Sequence, residues 1–517
     1  MSSLTTDETI ELSEPEGDEV KRHSKVTSLA EGMFLLAGLT VVQRGVGFVR
    51  GVLFCRWLSA HQLGQWDLAF GFLMLVGPLV VLGIPGSFGR YVEHYQQRGQ
   101  LRLFLVRTSW VSLVLSLLGF GLLWTFDGTV ARLLYNDPGE APVVRLLGLT
   151  LMAVIGFNFQ SELFVALRQI RVVSALHFVN SIGFAVLGLG LIYFWESSAH
   201  SVIAAYGLAC IVTIVLGMFP LIDTWRYLPA NQQIVPQASF WKKLLPFAMW
   251  LWAVNLLSNL FEVVDRYMIV HVSGLESVVA VSLVGDYHSS RVIPWLMVAV
   301  ATLFGGVLLP HLTADWEQGR IDKVRRQLGL AFKLTCMITC AGGIAIATLS
   351  PMLFYYVFQG KYAGGLEVMP WTLTYCVWYC LTGLILLYFC CTEKNHRAAL
   401  VYAIGLSTNI VLNAILLPPL GLPGAVMATA FAHATALALG LVMVRREGMN
   451  IPPQLLIFAI IPVCLAFSVP LMAAVWIVVL WQGLYGNWIL SEQEKEMLVA
   501  GLQPLVKRLP AWATTNN

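Results

Sequence analysis

The sequence predicts an all-α polytopic integral membrane protein, with two pseudo-symmetric six-helix lobes plus one or two extra C-terminal spans. Three observations carry that expectation. Hydrophobic residues make up 57% of the 517-residue chain and charged residues only 12%, with a mean hydropathy of +0.73, where soluble domains are about 25% charged. Apolar runs of about 20 residues, the length that crosses a bilayer, recur along the whole chain. One half of the chain also repeats the other at a near-constant offset.

The apolar runs fall at 30–57, 64–92, 103–126, 142–167, 171–195, 201–224, 243–271, 278–311, 327–357, 367–391, 397–417, 421–444 and 454–490. The last is long and carries Pro462 and Pro470, so thirteen spans are expected, or fourteen if it folds as a pair. Loop charges alternate. Arg98/Arg102/Arg107, Arg168/Arg171, Arg320/Lys323/Arg325/Arg326, Lys394/Arg397 and Arg445/Arg446 mark one face, while Asp127–Glu140, His271–Ser277 and Gly360–Glu367 on the other carry few Lys or Arg. By the positive-inside rule the basic face is cytoplasmic. Lys21, Arg22 and Lys25, just before the first run, place the N-terminus there too. Seventeen Trp and sixteen Tyr suit two interfaces to anchor.

The repeat is read from four matches in register. Leu63-Gly64-Gln65-Trp66 corresponds to Val284-Gly285-Asp286-Tyr287, 221 residues on. Gln97–Gln100 corresponds to Gln318–Arg320, Tyr135–Val144 to Phe358–Val368, and Ala166–Leu176 to Cys390–Leu400. Six spans separate equivalents, so the halves have the same orientation, a transporter plan that holds its substrate between the halves. The expected divisions are an acidic, disordered cytoplasmic tail (1–27), an N-lobe (28–226), a C-lobe (240–447), the extra span or spans (448–490) and an amphipathic tail (491–517).

Composition also excludes. A net charge of +3, dispersed along the chain, does not suit nucleic acid. The Cys336/Cys340 and Cys376/Cys380 spacings place each pair on one apolar helix face, which reads as packing rather than a metal or redox site. Phosphate-binding, zinc-protease and nucleophile-elbow signatures are missing, and no loop is large enough for a soluble catalytic domain. No enzyme activity, metal or cofactor is expected.

The segment Gln43-Arg44-Gly45-Val46-Gly47-Phe48-Val49-Arg50-Gly51 is followed by Arg56-Trp57-Leu58-Ser59, Leu82-Gly83-Ile84-Pro85 and Arg90-Tyr91-Val92. Then come Val284-Gly285-Asp286-Tyr287, Leu309-Pro310 and Gly360-Lys361-Tyr362-Ala363. In that order the motifs resemble the polysaccharide-transporter branch of the MOP flippase superfamily, the Wzx-type exporters of O-antigen (lipopolysaccharide) and exopolysaccharide. The resemblance covers roughly residues 28–447. It implies a V of two six-helix lobes in the bacterial cytoplasmic (inner) membrane. The implied substrate is an undecaprenyl-pyrophosphate-linked oligosaccharide, moved from the cytoplasmic to the periplasmic leaflet by alternating access driven by an ion gradient or the membrane potential. Polysaccharide polymerase and glycosyltransferases are the implied protein partners. Two alternatives are a MATE-like multidrug or cation antiporter and a non-transporting component of a glycan-assembly complex.

Charged groups within spans are costly and mark candidate sites. Arg44 lies about 20 Å from either end of a helix over 30–57, near the midplane. With Arg50 and Arg291 it is a candidate substrate-binding cation, since guanidinium binds phosphate oxygens bidentately. The competing reading pairs Arg44 with Asp67, Glu162 or Glu262. Glu262 and Arg266 stand at i and i+4, the spacing of an intrahelical pair. Asp265, opposite Arg44 in the repeat, is either a proton or sodium site or an inter-lobe partner of Arg44. Asp286 is placed near the outer end, with a surface role favoured over coupling. His288, Tyr287, Trp252 and Trp295 read first as packing residues and second as proton relay or sugar-stacking groups.

Overall fold

The computed structural model describes residues 29–228, 236–449 and 451–498. The acidic tail, and the amphipathic tail beyond residue 498, lie outside the described residues. Among the described residues every regular element is helical.

The first half runs α1 (Leu29–Trp57), α2 (Ala60–Val80), the short α3 (Phe88–Gln97), α4 (Leu101–Thr125), the short α5 (Asp127–Tyr135), α6 (Ala141–Ala166), α7 (Ile170–Phe194) and α8 (Ala199–Tyr227). The second runs α9 (Gln237–Val272), α10 (Ser277–Val292), α11 (Pro294–Glu317), α12 (Ile321–Met352), the short α13 (Ala363–Glu367), α14 (Met369–Cys391), α15 (Asn395–Leu420) and α16 (Leu422–Arg446). Eleven helices among the described residues are long and apolar enough to cross a membrane. The 36-residue α9 and the 16-residue α10 stand outside that set, but α10 continues into α11 after one residue.

Packing repeats with the sequence. In the N-lobe α7 packs on α1 and α8, and α6 on α8, α4 and α2. In the C-lobe α15 packs on α9 and α16, and α14 on α16, α12 and α11. Each N-lobe pair thus has its C-lobe counterpart. The chain is a polytopic α-helical membrane protein of two pseudo-symmetric lobes.

Two expected spans are broken. The second ends at Val80, and Leu82 (φ 50°) and Gly83 (φ 65°) then turn the chain left-handed before α3. Pro78 and Pro85 explain the break, since proline lacks an N–H and clashes with the preceding turn. The eighth is interrupted at Ile293, just before Pro294.

The long last run divides at Ser468, whose extended backbone (φ −162°) ends one helix and whose hydroxyl caps the next at Leu471. The pieces are α17 (Pro453–Ile460), α18 (Val463–Phe467) and α19 (Val469–Tyr485). α17 and α18 run up along α12 and α19 returns. Phe458 accepts from Cys336 Sγ (3.2 Å), and Trp476 Nε1 donates to Met337 O (3.0 Å). The run is therefore a short antiparallel pair. Beyond it Glu494 receives Lys333 Nζ at 2.8 and 2.9 Å, both side chains buried, which fastens the following segment to α12.

Candidate functional site

The lobes touch most closely where α2 and α10 begin. A Cβ built on Gly64 would stand 1.9 Å from the Val281 carbonyl oxygen, and one on Gly285 would stand 1.9 Å from that of Ala60. Ala60 and Val281, like Gly64 and Gly285, are 221 residues apart. The crossing therefore lies on the local two-fold relation between the halves, and only glycine lets the backbones approach so closely. Further contacts close the same, non-basic face. Tyr362 OH donates to Leu58 O (3.0 Å), Lys361 Nζ to Arg56 O (2.7 Å), and His271 Nε2 meets Leu133 O (2.7 Å).

One turn deeper lies a buried charge cluster. Asp67 on α2 is bonded by His288 Nδ1 (2.8 Å) on α10, again its equivalent at an offset of 221. Arg291, one turn along α10, donates Nη2 to Asp67 Oδ2 at 2.5 Å. From α9, Arg266 Nε stands 3.3 Å from the same oxygen. Asp67, Arg266 and Arg291 are 3%, 7% and 5% exposed, so this one carboxylate holds two buried guanidiniums. Among the described residues the Nε atoms of both arginines have no hydrogen-bond acceptor. The cluster thus has more cationic donors than its acid satisfies, in surroundings where charge is poorly screened.

Around it runs a chain of hydrogen-bonded polar groups. Asp265 accepts from Tyr287 OH (2.7 Å) and Thr429 Oγ1 (3.2 Å). Asn409 Nδ2 donates to Thr429 (3.2 Å), and Asn413 Nδ2 to Asn409 Oδ1 (3.0 Å). Tyr379 OH donates to Glu262 (2.8 Å). The imidazole of His433 is stacked between Phe261 (4.6 Å) and Tyr375 (5.8 Å). A cavity of about 20 Å³ opens between Glu262, Asp265, Tyr287, Arg291 and His433, room for one water-sized species.

The structure brings Arg291, Arg266 and Asp265 together, and changes their expected partners. Arg266 pairs with Asp67 rather than with Glu262 in its own helix, and Glu262 takes a tyrosine instead. Asp265 is not paired with Arg44: it is satisfied by Tyr287 and Thr429, while Arg44 lies on the exposed side of α1. Nor does Arg44 hold Asp67, whose partners are Arg266, His288 and Arg291. Arg50 lies 4.1 Å over the ring of Phe184, inside the N-lobe. Asp286 faces Gly364 and Gly365, and its Oδ1 is buried, without a partner among the described residues, rather than at the surface. Sequence reasoning missed the role of Asp67 and the supporting Thr429, Tyr375 and His433. For Asp67 a signal existed: it and His288 are the next residues after the matched Leu63–Trp66 and Val284–Tyr287.

Comparison with known proteins agrees with this architecture. Residues 29–314 match the family described as polysaccharide biosynthesis protein. The lipid II flippase MurJ of Bacillus subtilis is 20% identical over 454 residues, covering 81% of this chain and 83% of that protein. A structure of lipid II flippase MurJ in an inward closed conformation superposes with a TM-score of 0.66 at 14% identity, over 87% of this chain and 98% of that one. An inward-facing multidrug resistance MATE transporter of the MOP superfamily gives 0.66 at 14% identity, over 81% and 100%. The family match spans more than half of the chain, and the fold is that of flippases and transporters. The chain therefore belongs to the polysaccharide biosynthesis protein family, the polysaccharide-transporter branch of the MOP flippase superfamily.

Proposed function

We propose that this transporter carries an undecaprenyl-pyrophosphate-linked oligosaccharide from the cytoplasmic to the periplasmic leaflet of a bacterial inner membrane, by alternating access of its two lobes. The observation that carries this reading is the pairing of two buried arginines, Arg266 and Arg291, with the single carboxylate of Asp67 across the lobe boundary. A pyrophosphate offers more acceptor oxygens and more charge than a carboxylate, and guanidinium matches it bidentately. Its arrival would displace Asp67 from the arginines and release the contact that keeps α2 against α10. Arg44, exposed on α1, and Arg50 are the approach-side cations in this scheme. In this scheme the glycan travels between the lobes as they open while the lipid tail stays in the bilayer.

The coupling step is assigned to Asp265. Its setting of Tyr287, Thr429, Asn409 and Asn413 beside a cavity of about 20 Å³ suits one proton or small cation. The N-terminus and the basic loops then face the cytoplasm, with the glycosyltransferases that build the substrate on that side and the polymerase that uses it on the other.

The test is complementation of a strain that lacks its own flippase for such a glycan. Wild-type protein restores surface polysaccharide, and Arg291→Ala does not, although it reaches the membrane in equal amount. A MATE-like antiporter would instead raise resistance to cationic drugs and leave surface polysaccharide unchanged.

A further inference from the structure

A pocket with a partly polar wall lies in the basic-face half of the molecule, apart from the charge cluster. It is bounded by the broken end of α2, one face of α6 and the middle of α9, and has a volume of about 230 Å³. In α6 it takes Ile155, Asn158 and Glu162, spaced on one helical face, and in α9 Trp252 and Asn255. From α2 and the segment after it come Pro78, Val81 and Gly83.

Three features mark it as built for a ligand. The first is the backbone. Interrupted helices with Pro and Gly are tolerated at membrane depth where they line a cavity, and such breaks point to binding sites. Here Leu82 and Gly83 are both left-handed (φ 50° and 65°), and a non-glycine residue holds that conformation against steric strain. A Cβ on Gly83 would stand 2.6 Å from Trp252 Cβ and 2.8 Å from Ala248 O, so the break is fitted to α9. The second is the indole. Trp252 Nε1 is buried without an acceptor among the described residues, a state that native proteins rarely leave unfilled. The third is the polarity of the wall. Among the described residues two amides and a carboxylate share it with no lysine, arginine or histidine, so it offers acceptors and donors but repels an anion.

An indole, two amides and a carboxylate around a small cavity suit a neutral polyhydroxyl ring, whose hydroxyls both donate and accept. The volume is below the ~300–1,000 Å³ of drug-sized sites, room for one ring rather than an oligosaccharide. We propose that this pocket is a sugar subsite, in which Trp252 Nε1 donates to a ring hydroxyl and Glu162, Asn158 and Asn255 bond its neighbours. The proposal rests on the reading of the substrate as a lipid-linked glycan. It places recognition of the first sugars apart from recognition of the pyrophosphate.

The experiment uses the full-length protein in lipid nanodiscs, with saturation-transfer difference NMR against three soluble probes: methyl glucoside, methyl galactoside and N-acetylglucosamine. Inorganic pyrophosphate binding is measured in parallel by calorimetry. At least one sugar is expected to receive saturation from wild-type protein. Trp252→Phe, which keeps an aromatic ring and removes the donor, is expected to weaken that sugar about fivefold, the effect of one neutral hydrogen bond, with pyrophosphate binding unchanged. Glu162→Gln and the exposed Asn158→Ala are expected to act likewise, which covers a Trp252 variant that does not fold. The subsite is overturned if no sugar receives saturation from wild-type protein, or if Glu162→Gln and Asn158→Ala both leave the sugar constant unchanged. A protein that binds sugar with this dependence but not pyrophosphate supports the subsite and overturns the pyrophosphate reading alone.

Discussion

Asp67 and His288 occupy equivalent positions in the two halves of the chain, 221 residues apart, and bond each other at 2.8 Å across the lobe boundary. The repeat has diverged at this point into an acid and a base that meet. Two arginines of the C-lobe converge on the same acid, so this contact between the lobes is also a cluster of buried charge. Neutralising Asp67 therefore leaves two buried cations without their counter-ion. Asp67→Asn is expected to destabilise the protein by about 3–5 kcal/mol, read as a fall in melting temperature in detergent. Adding Arg291→Gln to Asp67→Asn is expected to restore part of that loss, and strict additivity of the two changes would refute the pairing.

The glycine crossing gives a sharper steric prediction. Gly64→Val places side-chain atoms where the Val281 carbonyl stands, whereas Gly38→Ala meets nothing within 4 Å. The first is expected to lower the melting temperature by several degrees, through an overpacking cost of about 1–3 kcal/mol or more. The second is expected to leave it unchanged. Equal melting temperatures for both variants would mean that α2 and α10 do not pack in this register.

The segment after α19 depends on Lys333, whose ammonium is buried against Glu494. Glu494→Ala leaves that ammonium uncompensated and is expected to free the segment. Limited proteolysis of the variant should cut between residues 486 and 498 under conditions that leave the wild-type chain whole.

Asp127, on α5 outside the spanning helices, receives Arg145 Nε at 2.5 Å and the Gly128 N–H at 2.6 Å. The Arg145 bond, and after it the Gly128 bond, hold its carboxyl below the usual value of 3.8. A depressed acid contributes stability above its unfolded value and loses it as the pH falls through its folded value. In Arg145→Ala the carboxyl is expected to titrate closer to 3.8, as followed by carbon NMR of labelled aspartate.

Much of the fold is legible in the sequence, because bilayer thickness sets the length of an apolar run and basic loops set its direction. The two-lobe plan is legible because residues that pack alike, such as Gly64 and Gly285, remained alike. The broken second span is less so: the run Leu82–Pro85 is apolar enough to pass as helix, although its glycine and proline stop one. The site was only half legible. Depth along a helix singles out Arg44, but which side of α1 that residue faces depends on neighbours about 140 residues away, such as Ser181 against Gln43. The i, i+4 spacing of Glu262 and Arg266 likewise says nothing of the stronger partner that α2 offers Arg266. Asp67 was visible only as one acid among several until the repeat is carried one residue further.

Reconstituted transport shows whether Arg291 binds the anionic head of a lipid-linked glycan. Proteoliposomes carrying a fluorescent undecaprenyl-pyrophosphate-linked sugar report the fraction that reaches the opposite leaflet, with Arg291→Ala compared to wild type under the same ion gradient. Wild-type protein is expected to move the lipid and the variant to be slowed at least ~100-fold, the scale of about 2.7 kcal/mol for one lost charge-assisted contact. Transport by Arg291→Ala at the wild-type rate would contradict that binding.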